Sequence, residues 1–267
     1  MTTLLAVEER RFEISSDRKV APYQRRKGQS RTGATPLKNS FGLPAGPNKS
    51  CIGATEWCWD SDNPLCYAES ISRLFTNVGL LLERNWETFQ ALKRSVPALK
   101  SALRPMLDSF VTECERRDVD PVFRWFWDGD IPSANFARAI SDLCKEYTQV
   151  RFWLYTRHFE IVDRLSGFEN DNLTVYLSVD PANIVAAQKC KAANTWVKLA
   201  FCADTWEETE KLASRFPGQR KGPRCPELTK KIPLVVWNSE ESVSGVGACV
   251  ECNMCIDGVN NVRFAAA

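Results

Sequence analysis

The sequence contains a single histidine, His158, in 267 residues. One imidazole argues against His-rich metal sites and most His-based acid–base catalysis, which draw on several. Long apolar runs are also missing, and no uncharged hydrophobic stretch approaches the ~18 residues that a membrane span requires. At the N-terminus, Glu8, Glu9, Arg10 and Arg11 stand where a signal peptide would place its apolar core. A cytoplasmic protein without membrane contact is therefore expected. No internal repeat or low-complexity tract interrupts the chain. Its composition, 44% apolar and 25% charged, is that of a folded protein, and its length suits one large domain with a full core.

Against that background the eleven cysteines stand out. In a reducing compartment they point to metal or cluster ligation before disulfides, and an odd number cannot pair completely. Charge is uneven as well. Lys and Arg number 35 against 33 Asp and Glu, yet Arg18, Lys19, Arg25, Arg26, Lys27, Arg31, Lys38 and Lys49 fall in a stretch without a single acid. Without those eight the chain has 27 basic against 33 acidic residues, a net −6. Residues 1–37, punctuated by Pro22, Gly28, Gly33 and Pro36, read as an extended basic arm suited to nucleic acid or an acidic partner, or simply to solvent.

Residues 38–267 read as one domain. Gly and Pro over Phe41–Pro47 mark a loop. Apolar spacing predicts a helical region over 68–101 and a second helix over 101–117, broken near Pro105. The chain then alternates. Strands are expected at 122–127, 150–155, 173–179, 196–202 and 232–237, with helices at 133–147, 159–165, 181–193 and 206–215. That alternation predicts an α/β protein, a full or partial (β/α) barrel with a parallel sheet.

In such a fold chemistry gathers at the carboxyl ends of the strands. Those ends carry Asp128-Gly129-Asp130, Thr156-Arg157-His158, Ser178-Val179-Asp180 and Ala203-Asp204. Asp180 before Pro181, and Asp204 or Thr205 before a helix, suit helix capping. Asp128 and Asp130 differ, because two carboxylates flank a glycine after a very apolar strand.

The cysteines form two sets. Cys51, Cys58 and Cys66 have the spacing C-x6-C-x7-C in a loop of Gly, Trp, Asp and Pro. Three thiolates in an irregular loop suit a cluster with one iron left open, with Trp57 and Trp59 positioned to exclude water. Cys249, Cys252 and Cys255 form a C-x2-C-x2-C run, and Cys225 is the nearest upstream fourth ligand. Residues 225–255 thus read as a C-terminal cluster-binding segment, with zinc as the alternative to iron and sulfide. Cys114, Cys144, Cys190 and Cys202 are expected to be structural.

Phe41-Gly42-Leu43-Pro44-Ala45-Gly46, Cys51-Ile52-Gly53-Ala54-Thr55 and Cys66-Tyr67-Ala68 resemble the phage "gene product 88" family. Arg84-Asn85-Trp86, Asp128-Gly129-Asp130, Tyr155-Thr156-Arg157, Cys225-Pro226 and the closing cysteine run extend the resemblance over most of the chain from about residue 38. The sequence departs at Asp128, where serine is the expected family residue. The resemblance implies a phage origin, hence a host cytoplasm, and iron–sulfur clusters of the [4Fe-4S] type, but supplies no reaction.

In motif order the chain is also similar to radical S-adenosylmethionine enzymes, although its first cysteine loop is far longer than their C-x3-C-x2-C. That similarity implies a substrate-binding cluster at Cys51, Cys58 and Cys66. It further implies Asp130 as the catalytic residue holding the amino group of S-adenosylmethionine, Asp128 and Ser178 as further cofactor-binding residues, and an auxiliary cluster at the other four cysteines. Two alternatives stand beside it. One is a non-catalytic iron–sulfur protein that binds nucleic acid or a host protein through the arm. The other is a zinc-stapled barrel modifying nucleobases, with Asp128 or Asp130 as nucleophile or base.

Overall fold

The computed structural model describes residues 10–20, 37–59, 66–165, 171–232 and 247–265. Five parallel strands, β1 (Val122–Arg124), β2 (Arg151–Thr156), β3 (Leu173–Val179), β4 (Lys198–Ala203) and β5 (Val262–Ala265), lie side by side in sequence order. They curl into a half-barrel, the partial form of the expected architecture. Period-two alternation gives each strand two buried faces. Leu173, Val175, Leu177 and Val179 join the main core, while Tyr176, on the opposite face, packs with Ala200 and Val262.

Three helices, α1 (Tyr67–Leu74), α2 (Thr76–Leu92) and α3 (Val96–Arg117), precede the sheet. The expected division at residue 101 is corrected. The breaks fall at Phe75 and Ser95, both extended, and the Ser95 hydroxyl caps α3 by accepting from Ala98 N at 3.3 Å. Pro105 lies inside α3 without ending it. A mid-helix proline costs about 3 kcal/mol. Burial of Leu99, Leu103, Met106, Leu107 and Phe110 on both sides of it offsets that cost.

Two of the later helices start where the sequence supplies a side-chain cap. Ser133 accepts from Phe136 N at 3.2 Å to open α4 (Ala134–Glu146), and α5 (Ile184–Ala193) follows β3. Thr205 and Glu208 form a reciprocal capping box on α6 (Trp206–Ser214). Two short helices, α7 (Ala248–Cys252) and α8 (Met254–Asp257), cross the inner face of the sheet. There Thr174 donates to Ile256 O at 3.0 Å and the Tyr176 hydroxyl to Asn260 O at 2.9 Å. Among the described residues no helix is long and apolar enough to cross a membrane.

Two further expectations change. The fifth strand is Val262–Ala265, paired with β4 from Ala200↔Val262 to Ala203↔Ala265. The segment expected at 232–237 lies, apart from Ile232, outside the described residues. The arm is also different over residues 10–20, which pack on the body. Phe12 is buried against Phe41 and Phe136, at ring distances of 5.4 and 5.6 Å, and Val20 is fully buried. Ser15 pairs with Ser40, and Asp17 forms an ion pair with Arg124 at 2.7 Å, both side chains 10% exposed. Lys49 of the basic stretch pairs with Glu83. Arg25, Arg26, Lys27 and Arg31 lie outside the described residues.

Each sheet edge is extended by a single bridge. Ser40 runs parallel to Arg124 beside β1, and Arg224 runs parallel to Arg263 beside β5. The first bridge leads into the loop of Cys51 and Cys58, the second directly into Cys225. Sheet geometry therefore launches both cysteine segments.

Candidate functional site

The loop over residues 44–59 lies across the carboxyl ends of the strands and is fastened to four of them. Asp128, after β1, accepts from Ala45 N at 3.1 Å. Ser50 donates to Pro44 O at 2.8 Å and accepts from Asp130 N at 3.1 Å. Thr55 donates to Asp180, after β3, at 2.6 Å, and the Trp57 indole donates to Asp204, after β4, at 3.1 Å. Beyond β2 the contact is backbone on backbone: a Cβ on Gly53 would sit 2.0 Å from Arg157 O. Gly129 is equally constrained, with φ of 75° and Ser50 Oγ 2.3 Å from where a Cβ would stand. Only glycine fits either position.

Asp130 is buried, and its carboxylate is engaged by its own fold. It accepts from Ile131 N and Arg157 N, each at 2.7 Å, and from the Thr156 hydroxyl. Burial outweighs these donors and raises its pKa. Asp130 thus ties the end of β1 to the end of β2. Asp180 does not cap α5, whose N-cap position is Asn183; it accepts from Ala182 N and Asn183 N in the turn before that helix and forms an ion pair with Arg157. Arg157 also stacks on Trp57, with 5.6 Å to the ring centroid. Asp204 does not cap; Thr205 does. Ser178 is half-buried on β3, and its carbonyl accepts from Asn183 Nδ2 at 3.0 Å.

The eleven cysteines divide by location. Cys114, Cys144 and Cys190 are buried in the helical layer. The seven expected ligands are half-buried, and so is Cys202. At the mouth, Cys51 is close enough to Asp130 and Cys66 for their charges to interact, and burial pushes its thiol up. Cys58 accepts from Thr55 N at 3.4 Å and lies in range of Arg157 and Cys202. Cys202, raised to about 11 by burial, was not expected in the site. Its position at the end of β4, two residues before Asp204, is the signal that could have found it.

The second set gathers under the sheet. Cys255 lies in charge range of Cys225, Cys249 and Cys252. It is packed beneath Tyr155 and Tyr176, whose rings are 5.3 Å apart, and burial raises it to about 11. Burial, with Cys255 beside them, also pushes both tyrosine hydroxyls up. Sequence positions 24 or more apart thus meet on one face. The thiols are neighbours without converging on a point: among the described residues no three His, Cys, Asp or Glu side chains form a group that could hold a metal ion.

Fold and site together define an α/β half-barrel protein with thiols at its mouth and on its inner face. The chain belongs to the Gene product 88 family, whose model matches residues 14–258. It is 32% identical to the Gene 88 protein of Mycobacterium phage L5, over 96% of this chain and 98% of the relative. It is 30% identical to the Gene 88 protein of Mycobacterium phage D29, over 94% of this chain and 96% of the relative. The match includes residues 14–20, which pack on the body. No solved structure matches the chain.

Proposed function

We propose that this chain is a phage iron–sulfur protein with two thiolate sites, and that the mouth site serves radical-type chemistry on S-adenosylmethionine. One observation carries the reading: the seven expected ligands all lie half-buried at the mouth or on the inner face, apart from the three cysteines of the helical core. Buried core thiols are inert packing, whereas accessible thiols from separate segments are what ligation requires. The donor set at Cys225, Cys249, Cys252 and Cys255 is all sulfur, with Tyr155 hydrogen-bonded to Cys255. That chemistry suits a soft-metal cluster, whose potential such hydrogen bonds tune.

At the mouth, Cys51, Cys58 and Cys66 are the ligands in this reading. A cluster held by three of them would supply one-electron chemistry at an open iron. Asp128 holds the loop in place, while Asp130 links the loop to β2 and takes the amino group of S-adenosylmethionine. Ser178 lies deeper, on β3. Arg157, fixed by Asp180, places a cation beside Cys58.

The test is purification without oxygen, followed by iron, sulfide and zinc analysis with a visible spectrum. Iron and sulfide in equal amounts support the reading. A colourless protein with zinc and no iron replaces it with a zinc staple. Release of methionine or 5′-deoxyadenosine from S-adenosylmethionine by the reduced protein tests the radical step, and its absence in an iron-loaded protein removes that step alone.

A further inference from the structure

The strongest unassigned surface is basic and lies on the far side of the β5 edge. Between residues 211 and 231 the chain carries seven Lys and Arg against one acid, Glu227. Glu227 is already neutralised by Lys19 at 3.0 Å, so the N-terminal basic stretch begins at this surface. Glu210 on α6 faces Lys221 at 2.9 Å and Arg263 at 3.9 Å. Arg215, Arg220, Lys230 and Lys231 are exposed and make no ion pair among the described residues.

The platform is anchored. Asn261 donates to Arg220 O at 2.7 Å, Arg263 N to Pro223 O at 3.0 Å, and Cys225 N to Arg263 O at 2.9 Å. Arg224 lies over the Trp206 ring at 5.2 Å, which orders its guanidinium in advance. An anchored loop presents these cations without the ordering cost that a flexible tail incurs.

We propose that this surface, rather than the N-terminal arm alone, binds nucleic acid through the phosphate backbone. Arginines held in place suit phosphate oxygens, and a cluster of cations whose one acid, Glu227, is already paired suits a polyanion. A membrane surface would call for exposed apolar side chains among the cations. Among the described residues the exposed large apolar ones are Ile52, Leu74, Phe75, Leu80, Val185 and Val259, none of them between 211 and 232.

The experiment uses the full chain, purified without oxygen, with a fluorescein-labelled DNA duplex and the matching single strand, titrated between about 50 and 200 mM salt. About four phosphate contacts give a slope of log affinity against log salt on the order of −4 for the duplex. Arg215→Ala/Arg220→Ala/Lys230→Ala/Lys231→Ala should keep its melting temperature, lose most of that slope and bind at least ~10-fold more weakly. Arg220→Ala alone should reduce the slope by about 1. Four results would each overturn the proposal: no salt-dependent binding by the unsubstituted chain; an unchanged affinity and slope in the quadruple variant; abolition of binding by Arg25→Ala/Arg26→Ala/Lys27→Ala alone; or tighter binding to phosphatidylserine vesicles or polyglutamate than to DNA.

Discussion

The guanidinium of Arg157 forms an ion pair with the carboxylate of Asp180, whose side chain is completely buried. Arg157 follows β2 and Asp180 follows β3, so the pair crosses the mouth of the half-barrel. The same Asp180 oxygen accepts the Thr55 hydroxyl, which brings the cysteine loop into the network. Removing the charge strands a buried cation, at a cost of about 3–5 kcal/mol. Asp180→Asn should therefore lower unfolding free energy by about 3 kcal/mol in urea titrations. Asp204→Asn, at an exposed carboxylate whose partner is the Trp57 indole, should change it by less than about 1 kcal/mol.

The N-terminal segment should matter for stability. Phe12 is 4% exposed and sits in the aromatic cluster of Phe41 and Phe136. Phe12→Ala should cost about 3–5 kcal/mol by cavity formation. A loss under about 1 kcal/mol in the same titration would return residues 10–20 to the status of a dispensable arm.

Gly53→Ala addresses the mouth without touching a thiol. The added methyl meets the Arg157 carbonyl at 2.0 Å, and backbone cannot rotate away as a side chain can. The loop must shift, carrying Cys51 and Cys58 off their positions. Metal per chain should fall while the far-ultraviolet circular dichroism stays that of the parent. Full metal content would show that the loop's fit to β2 is not required for ligation.

The cysteines should separate by location when each is replaced. Cys255→Ser removes the thiol that lies near the other three and beneath both tyrosines, so metal at that site and thermal stability should fall together. Cys66→Ala should stay soluble and lose about half of the iron, on a basis of ~4 irons per site. Cys190→Ser, in the helical layer, should leave metal content unchanged. Metal analysis and melting curves on the three proteins decide. Loss of all iron in either of the first two would mean one shared site instead of two.

Much was determined locally and was therefore legible in the sequence. Strand-and-helix alternation gave the parallel α/β sheet, because period two and period 3.6 are properties of single segments. Thr205 disclosed a helix start, since a cap bonds within three residues of itself. The burial of Cys114, Cys144 and Cys190 in the helical layer was also readable, from their helical spacing.

Tertiary structure alone decided the rest, because it depends on contacts between distant residues. The final strand is Val262–Ala265, a short segment whose place beside β4 comes from pairing and not from its own propensity. Residues 10–20 read as arm because Phe12, Ser15 and Val20 are too sparse for a periodic signal, yet each meets a partner supplied elsewhere in the chain. Asp130 read as a candidate catalytic carboxylate in sequence, and the fold engages it with backbone donors from Ile131 and from Arg157 after β2. Cys202 ends β4 within charge range of Cys58 and Arg157, a proximity that exists only because the cysteine loop lies over that strand. Propensity acts over a few residues, whereas burial, ion pairing and thiol proximity are set by where the chain returns.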